Sequence, residues 1–246
     1  RNIFGLLARD SIFKTLYYSK STLADLLRII REYRIDIVHF ESFYTAFYIS
    51  DLIKSMGVKQ IFGTENIEFK IYKDYSKNAF SLLRPLYELQ AEKIKEEEEA
   101  LFKQADICIA VSDSDAQKIR EYNECEVIKN GVDIDEFEYK FPKNKEGRKL
   151  LFVGNFSYFP NVDAINYFYS EIFQNLSSDV TLIIIGKKVR KLKFLGDPRV
   201  EGKEFITRIQ DEYNKADLMV SPLRLGGGTN FKILEAMASG LPVVSL

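Results

Sequence analysis

Histidine occurs once in this sequence of 246 residues, at His39, and cysteine twice, at Cys108 and Cys125. The two cysteines have neither CxxC nor metal-finger spacing, and one histidine cannot complete a zinc-ligand set. A histidine-dependent nucleophilic triad would have to use His39, and no GxSxG elbow accompanies it. An excess charge of one sign is missing too. Lys and Arg number 35 against 36 Asp and Glu, a net charge of −1, which gives no electrostatic footprint for nucleic acid. No apolar run approaches the roughly 18 residues of a membrane-spanning helix, and no signal peptide is visible. Cys108 lies in the apolar run ADICIAV and reads as a buried thiol, which fits a reducing, cytoplasmic setting. The chain opens on Arg1 and stops at Leu246 just after an apolar run, and it reads as a fragment cut at both ends.

What is present is alternation. Thr22–Glu32 has apolar residues at helical spacing, and IDIVHF (Ile35–Phe40) is a continuous apolar run of the kind found in strands buried on both faces. Tyr44–Met56 reads as a helix ended by Gly57, and Val58–Thr64 as a strand. Leu82–Lys103 reads as a long helix with Pro85 near its start. Ala105–Val111 is a strand, Ser112 caps the next helix, and Glu126–Asp133 is a short strand and turn. Phe141–Lys149 is polar and broken by proline and glycine, and reads as a linker. After it come strands at KLLFVG, VTLIIIG, PRVEG, ADLMVSP and LPVVSL, with helices at Val162–Leu176, Phe205–Lys215 and after the glycine loop. Such alternation implies right-handed βαβ units and parallel sheets. Two runs of it imply an α/β protein of two Rossmann-like domains, 1–140 and 149–246, joined by a linker at 141–148. The run Glu96–Glu99 reads as a solvated helix face.

Arg224–Gly240 reads RLGGGTNFKILEAMASG, with glycines running straight into a helix. Glycines let the backbone approach a ligand and expose N–H groups. The helix adds its free N–H groups and the positive end of its dipole, so together they form an anion site. Thr229 is the expected N-cap. Lys232 then falls in the first turn, where a cation opposes the dipole by about 0.3–1 kcal/mol unless an anion is bound. Glu235 shares its face. A lysine for phosphate and a carboxylate for ribose would suit a nucleoside diphosphate, and an ordinary surface ion pair is the competing reading. Asp113-Ser-Asp115 formally matches the DxD metal signature, but after Ser112 it reads as helix capping. Asp133-Ile-Asp135 reads as a turn. The basic run Lys187–Lys193 reads as a solvated loop, with contact to anionic lipid or a lipid diphosphate as the alternative.

The stretch SPLRLGGGTNFKILEAMASGLPVVS resembles the nucleotide-sugar site of GT-B glycosyltransferases of retaining family 4, in the branch with a PLR-GGGT-KILEAMA loop. ADICIAVSDSDAQKI with VIKNGVDIDEF, LLFVGNFSYFPNVDAINYF, DIVHFESFYTAFY and GTENIEFKIY resemble other segments of that family in the same order. The resemblance implies two Rossmann-like domains with parallel sheets, both incomplete here, and an active site in the cleft between them. It implies transfer of a sugar from a nucleotide-diphosphate-sugar donor to a glycan, lipid-linked or small-molecule acceptor, with retention at the anomeric carbon. It places Glu235 on the donor ribose, Lys232 and Arg224 near the diphosphate, and Gly226, Gly227, Gly228, Thr229 and Asn230 in the backbone cradle. Gly154 and Asn155 would line the opposite wall, and His39, Glu65 and Asn66 the acceptor side. No metal or cofactor is expected, and no nucleic acid. The setting implied is cell-surface polysaccharide synthesis in the cytoplasm, with peripheral contact at the inner face of the membrane. The chain departs from the pattern in three places. Gly227 replaces the first glutamate of E-x7-E, the loop after Gly154 lacks basic residues, and Glu65 precedes Asn66 where histidine is common. Two other classes stay open: a nucleotide-sugar epimerase, which would turn over substrate without a glycoside product, and a non-catalytic scaffold subunit, which would form complexes without binding donor.

Overall fold

A computed structural model describes residues 9–78, 82–139, 148–225 and 230–246. The chain divides into two compact units, with the break between Lys129 and Asn130. The linker read at 141–148 lies outside the described residues except for Arg148, which opens a strand.

In the first unit, helices α1 (Ile12–Tyr17) and α2 (Lys20–Tyr33) precede strand β1 (Ile37–Glu41). Short helices α3 (Phe43–Ala46) and α4 (Asp51–Lys54) lead to β2 (Lys59–Thr64). Then come α5 (Glu68–Asn78), α6 (Arg84–Gln104), β3 (Ile107–Ala110), α7 (Asp113–Ile119) and β4 (Cys125–Val127). The strands form a parallel sheet in the order β1-β2-β3-β4, with Phe62 beside Cys108 and Cys108 beside Cys125. Phe62 and Phe102 stack at 5.2 Å between centroids and are almost wholly buried. Burial of such a ring contributes about 1.5–3 kcal/mol. Cys108 is buried as expected, and desolvation pushes its thiol up to about 12.

Three expectations for this unit need correction. β1 is not buried on both faces. Within the described sheet it is an edge strand, only Phe40 of its five residues is buried, and Ile37 is 56% exposed. The helix read over Tyr44–Met56 is two short ones. The buried Gln60 side chain accepts from Ser50 N at 2.9 Å and donates to Ser50 O at 3.1 Å, which holds the chain extended between them. The glutamate run is a solvated face only in part, since Glu96 is exposed and Glu98 is buried. Buried residues of α6 recur at Gln90, Ile94, Glu98 and Leu101, so Glu98 occupies a core-facing position by helical spacing. Its oxygens accept from the first N–H groups of α5, Glu68 N at 2.9 Å and Phe69 N at 3.2 Å. Burial nevertheless pushes Glu98 up to about 8. Glu97 accepts from Ser11 N, and Glu99 from the Tyr122 hydroxyl.

In the second unit, β5 (Arg148–Val153) leads to α8 (Phe159–Tyr167), which starts earlier than the expected Val162, with Pro160 in its first turn. It runs into a wide turn at Phe168–Ile172 and a tight one at Phe173–Asn175. The wide turn puts Phe168 and Phe173, five residues apart, into one core with their rings 6.4 Å apart. Then follow β6 (Val180–Ile185), β7 (Val200–Lys203), α9 (Ile209–Lys215), β8 (Leu218–Ser221), α10 (Phe231–Ala238) and β9 (Val243–Ser245). The sheet is parallel, in the order β7-β6-β5-β8-β9. Succession runs outward one way from β5 to β7 and the other way from β8 to β9. The carboxyl ends of β5 and β8 therefore flank the point where the order reverses, where open α/β sheets bind ligands.

Both units use one device at a strand entrance. Asp106, before β3, exchanges hydrogen bonds with Gln60: Gln60 N donates to its carboxylate at 2.8 Å, and its own N–H donates to Gln60 O at 2.9 Å. Asp217, before β8, does the same with Lys149 at 2.7 and 2.9 Å. The donated backbone N–H holds Asp106 below its usual range. Each pair sets the register of two parallel strands where the ladder begins.

Removing the Glu98 carboxylate leaves two N–H groups at the start of α5 without acceptors. Glu98→Ala is expected to cost about 1.5–3 kcal/mol, read as a lowered urea midpoint; an unchanged midpoint would return the run to being a solvated face.

Candidate functional site

The site is built on the loop after β5. Gly154 N donates to Ile185 O at 2.9 Å, so the chain leaving β5 stays against β6. Gly186 follows β6 with φ +146°, and a Cβ there would lie 1.8 Å from Gly154 O. Two backbones thus approach as only glycine allows. Asn155 then turns the chain. Its Oδ1 accepts from Ser157 N at 2.9 Å, and its carbonyl accepts from Asn161 Nδ2 at 3.1 Å. Asn161, in the first turn of α8 and only 9% exposed, presents its Oδ1 to Lys232.

Lys232 lies in the first turn of α10. Its ammonium donates to Val153 O and to Asn161 Oδ1, both at 3.0 Å, and lies 4.8 Å from the Phe152 ring centroid. Among the described residues it has no carboxylate within 4.0 Å, so the surface pair with Glu235 does not form. Burial pulls its pKa down to about 8. Glu235 instead accepts from the Tyr213 hydroxyl at 2.7 Å. A half-buried cation without a counter-charge, at a helix N-terminus on the ligand edge of a sheet, is suited to holding an anion.

The other expected residues divide. Arg224 gives its guanidinium to Asp163 of α8 at 2.8 and 3.2 Å and covers the Tyr167 ring at 4.2 Å. Gly226, Gly227, Gly228 and Thr229 lie outside the described residues. The cap of α10 is Asn230, not Thr229, because its backbone is still extended and the helix begins at Phe231. Ser112 caps α7, its oxygen accepting from Asp115 N, so the DxD pair serves a helix. The run at 187–193 connects β6 to β7, with Lys187, Arg190, Lys191 and Lys193 exposed.

On the first unit, His39 lies in the middle of β1. Its Nε2 is 3.1 Å from Glu41 Oε2, and it leans over Gly63, where a Cβ would come within 2.4 Å. Glu65 and Asn66 follow β2; Glu65 is exposed, and Asn66 O accepts from the Thr64 hydroxyl. Beside them Glu68, which the sequence reading passed over, is pushed up to about 7, chiefly by burial. Among the described residues no group of three His, Cys, Asp or Glu is placed to hold a metal, and no helix is long and apolar enough to cross a membrane.

Residues 7–136, more than half of the chain, match the family described as Glycosyltransferase Family 4. The chain belongs to that family. Residues 147–246 of this family 4 chain match a second description, Glycosyl transferases group 1. No curated protein matches it. Among solved structures it is similar to sucrose-phosphate synthase from Thermosynechococcus elongatus, with a TM-score of 0.72 and 15% identity over 95% of this chain and 61% of that one. It is similar to HepE from Anabaena in complex with UDP-glucose, with a TM-score of 0.66 and 17% identity over 91% and 62%. It also resembles a variant of TarM from S. aureus in complex with fondaparinux, alpha-GlcNAc-glycerol and UDP, with a TM-score of 0.64 and 16% identity over 91% and 44%. These likenesses establish the α/β fold of two parallel-sheet units, of GT-B type. The chain spans about three-fifths of the length of the first two.

Asn161, Asp163, Gly186 and Tyr213 were missing from the sequence reading. Asn161 ends the quoted loop NFSYFPN, and Gly186 ends VTLIIIG, so both stood at strand ends where ligands gather. Nothing local singled out Tyr213. The close approach at Gly186 gives a test. Gly186→Ala is expected to lose about 3 kcal/mol or more of stability, whereas Gly196→Ala, with open space around it, should stay within about 0.5 kcal/mol. Equal urea midpoints for the two variants would remove the constraint.

Proposed function

We propose that this family 4 chain carries the donor site of a glycosyltransferase, which moves a sugar from a nucleotide-diphosphate-sugar to a glycan, lipid-linked or small-molecule acceptor with retention at the anomeric carbon. The observation that carries the reading is Lys232, a half-buried ammonium held by neutral acceptors at the switch point of a parallel sheet. A diphosphate supplies the counter-charge that Lys232 lacks. As the sugar–phosphate bond breaks, negative charge grows on the departing diphosphate, and Lys232 with the α10 N-terminus stabilises it. Glu235 takes the ribose. Arg224 contributes to the diphosphate only by leaving Asp163. The reading needs no metal. UDP is the first nucleotide to try, because HepE and TarM have been solved with it or with its glucose ester. The acceptor is assigned to the side of His39, Glu65 and Asn66, and contact with a membrane face to the exposed basic residues of 187–193.

The test is calorimetric titration with UDP, GDP and ADP at matched salt, with and without EDTA. One nucleotide is expected to bind selectively and equally well under both conditions. Lys232→Ala should weaken it by about 1.5–3 kcal/mol while leaving the nucleoside much less affected. Equal loss for both would take Lys232 off the diphosphate.

The pH dependence has a definite sign. Lys232 titrates at about 8 in the free protein, below its ordinary 10.5. It is charged below that value, and a bound diphosphate favours the charged form. Affinity is therefore highest below about pH 8 and falls as pH rises through it, by at most about tenfold per unit. Over the same window this group makes folding more favourable as pH rises, because the unfolded chain keeps the proton longer. The Lys232→Ala variant should show a flat affinity profile between pH 8 and 10; an unchanged slope would place the titrating group elsewhere.

A further inference from the structure

We propose that Tyr213 is a positioning residue of this donor site: it fixes the Glu235 carboxylate so that a vicinal diol, the ribose 2′- and 3′-hydroxyls, is read there. The proposal rests on the donor-site reading above and adds the group that sets its preference for ribose.

Tyr213 is on α9 and only 1% exposed. Its hydroxyl lies 2.7 Å from Glu235 Oε2 and 3.4 Å from the carbonyl oxygen of Lys232. A phenol has one proton to donate, and the shorter contact to a carboxylate takes it. Burial first, and then the neighbouring carboxylate, raise the hydroxyl's pKa, so it stays a donor. The ring cannot swing away. Phe137 packs against it at 6.0 Å, and it belongs to a buried cluster with Leu151, Met219 and Ala236. A glutamate on an exposed helix has several rotamers of similar energy. Here one oxygen is tied to a rigid phenol, and the remaining lone pairs of the carboxylate are acceptors only. Acceptors held in a fixed plane suit two hydroxyls on adjacent carbons. The same hydroxyl lies 3.4 Å from the Lys232 carbonyl oxygen, so the fixed carboxylate stands close to the residue proposed for the diphosphate.

The experiment uses the full chain. UDP, GDP and ADP are titrated first, and the tightest is compared with its 2′,3′-dideoxy counterpart in wild type, Tyr213→Phe, Glu235→Ala and the double variant. Wild type should prefer the ribonucleotide by about tenfold or more, the scale of a hydrogen bond to a charged group. Tyr213→Phe, which removes one oxygen, should cut that preference to about threefold or less and leave affinity for the dideoxy compound within about twofold. Glu235→Ala should abolish the preference, and adding Tyr213→Phe should change it no further. Equal weakening of both ligands by Tyr213→Phe would reduce Tyr213 to packing, and an unchanged ratio would also overturn the proposal. Wild type that binds but shows no ribose preference would overturn the Glu235 assignment and this proposal, leaving Lys232 in place. Wild type that binds none of the three nucleotides would overturn the donor site itself.

Discussion

The half-buried ammonium of Lys232 is the charge around which the second unit's ligand edge is arranged. An ammonium drawn out of water needs acceptors, and here they are a strand-end carbonyl, an asparagine oxygen and an aromatic face. The two oxygen suppliers are fixed by the surrounding backbone. Val153 is the last residue of the central strand β5. Asn161 is held by the carbonyl of Asn155, and Gly154 stays against β6 through Ile185. All three suppliers are neutral, so the charge of the ammonium itself is left for a ligand to meet.

Elsewhere, buried and half-buried polar groups fasten backbone. Glu98 holds the start of α5, Gln90 and Glu97 hold the start of α1, and Gln60 holds the break between α3 and α4. Asp106 and Asp217 set the register of a parallel pair in each unit. Backbone N–H groups at helix starts and strand entrances lack partners within their own element, and a side chain placed there by tertiary packing satisfies them. The two units thus solve a common problem with the same residue type at the same place, directly after a buried alanine, Ala105 or Ala216.

Much of the fold could be read from the chain. Apolar runs marked β3, β5, β6 and β8 within a residue or two, because strands inside a parallel sheet have no polar face. β1 was misread for the same reason: IDIVHF has the composition of a central strand, and only the pairing shows that it lies at an edge. The acidic run was misread because charge outweighed period. Ile94, Glu98 and Leu101 had helical spacing in plain view. At the donor site, Lys232, Glu235, Gly154 and Asn155 were visible because they fall at the ends of recognisable elements. Asn161 and Tyr213 were not, because each acts on a residue more than twenty positions away.

The sequence by itself determined the alternation, the parallel sheets, the family, and a lysine in the first turn of a helix after a glycine loop. These follow from period, composition and local capping, which act over a few residues. Only the tertiary structure decided what each charge faces. Lys232 meets neutral acceptors and not Glu235, Glu235 meets Tyr213, Arg224 meets Asp163, and Glu98 lies in the core. The physical reason is that helix faces allow several partners of similar energy, and the choice among them is made by what the sheet order brings within hydrogen-bonding reach.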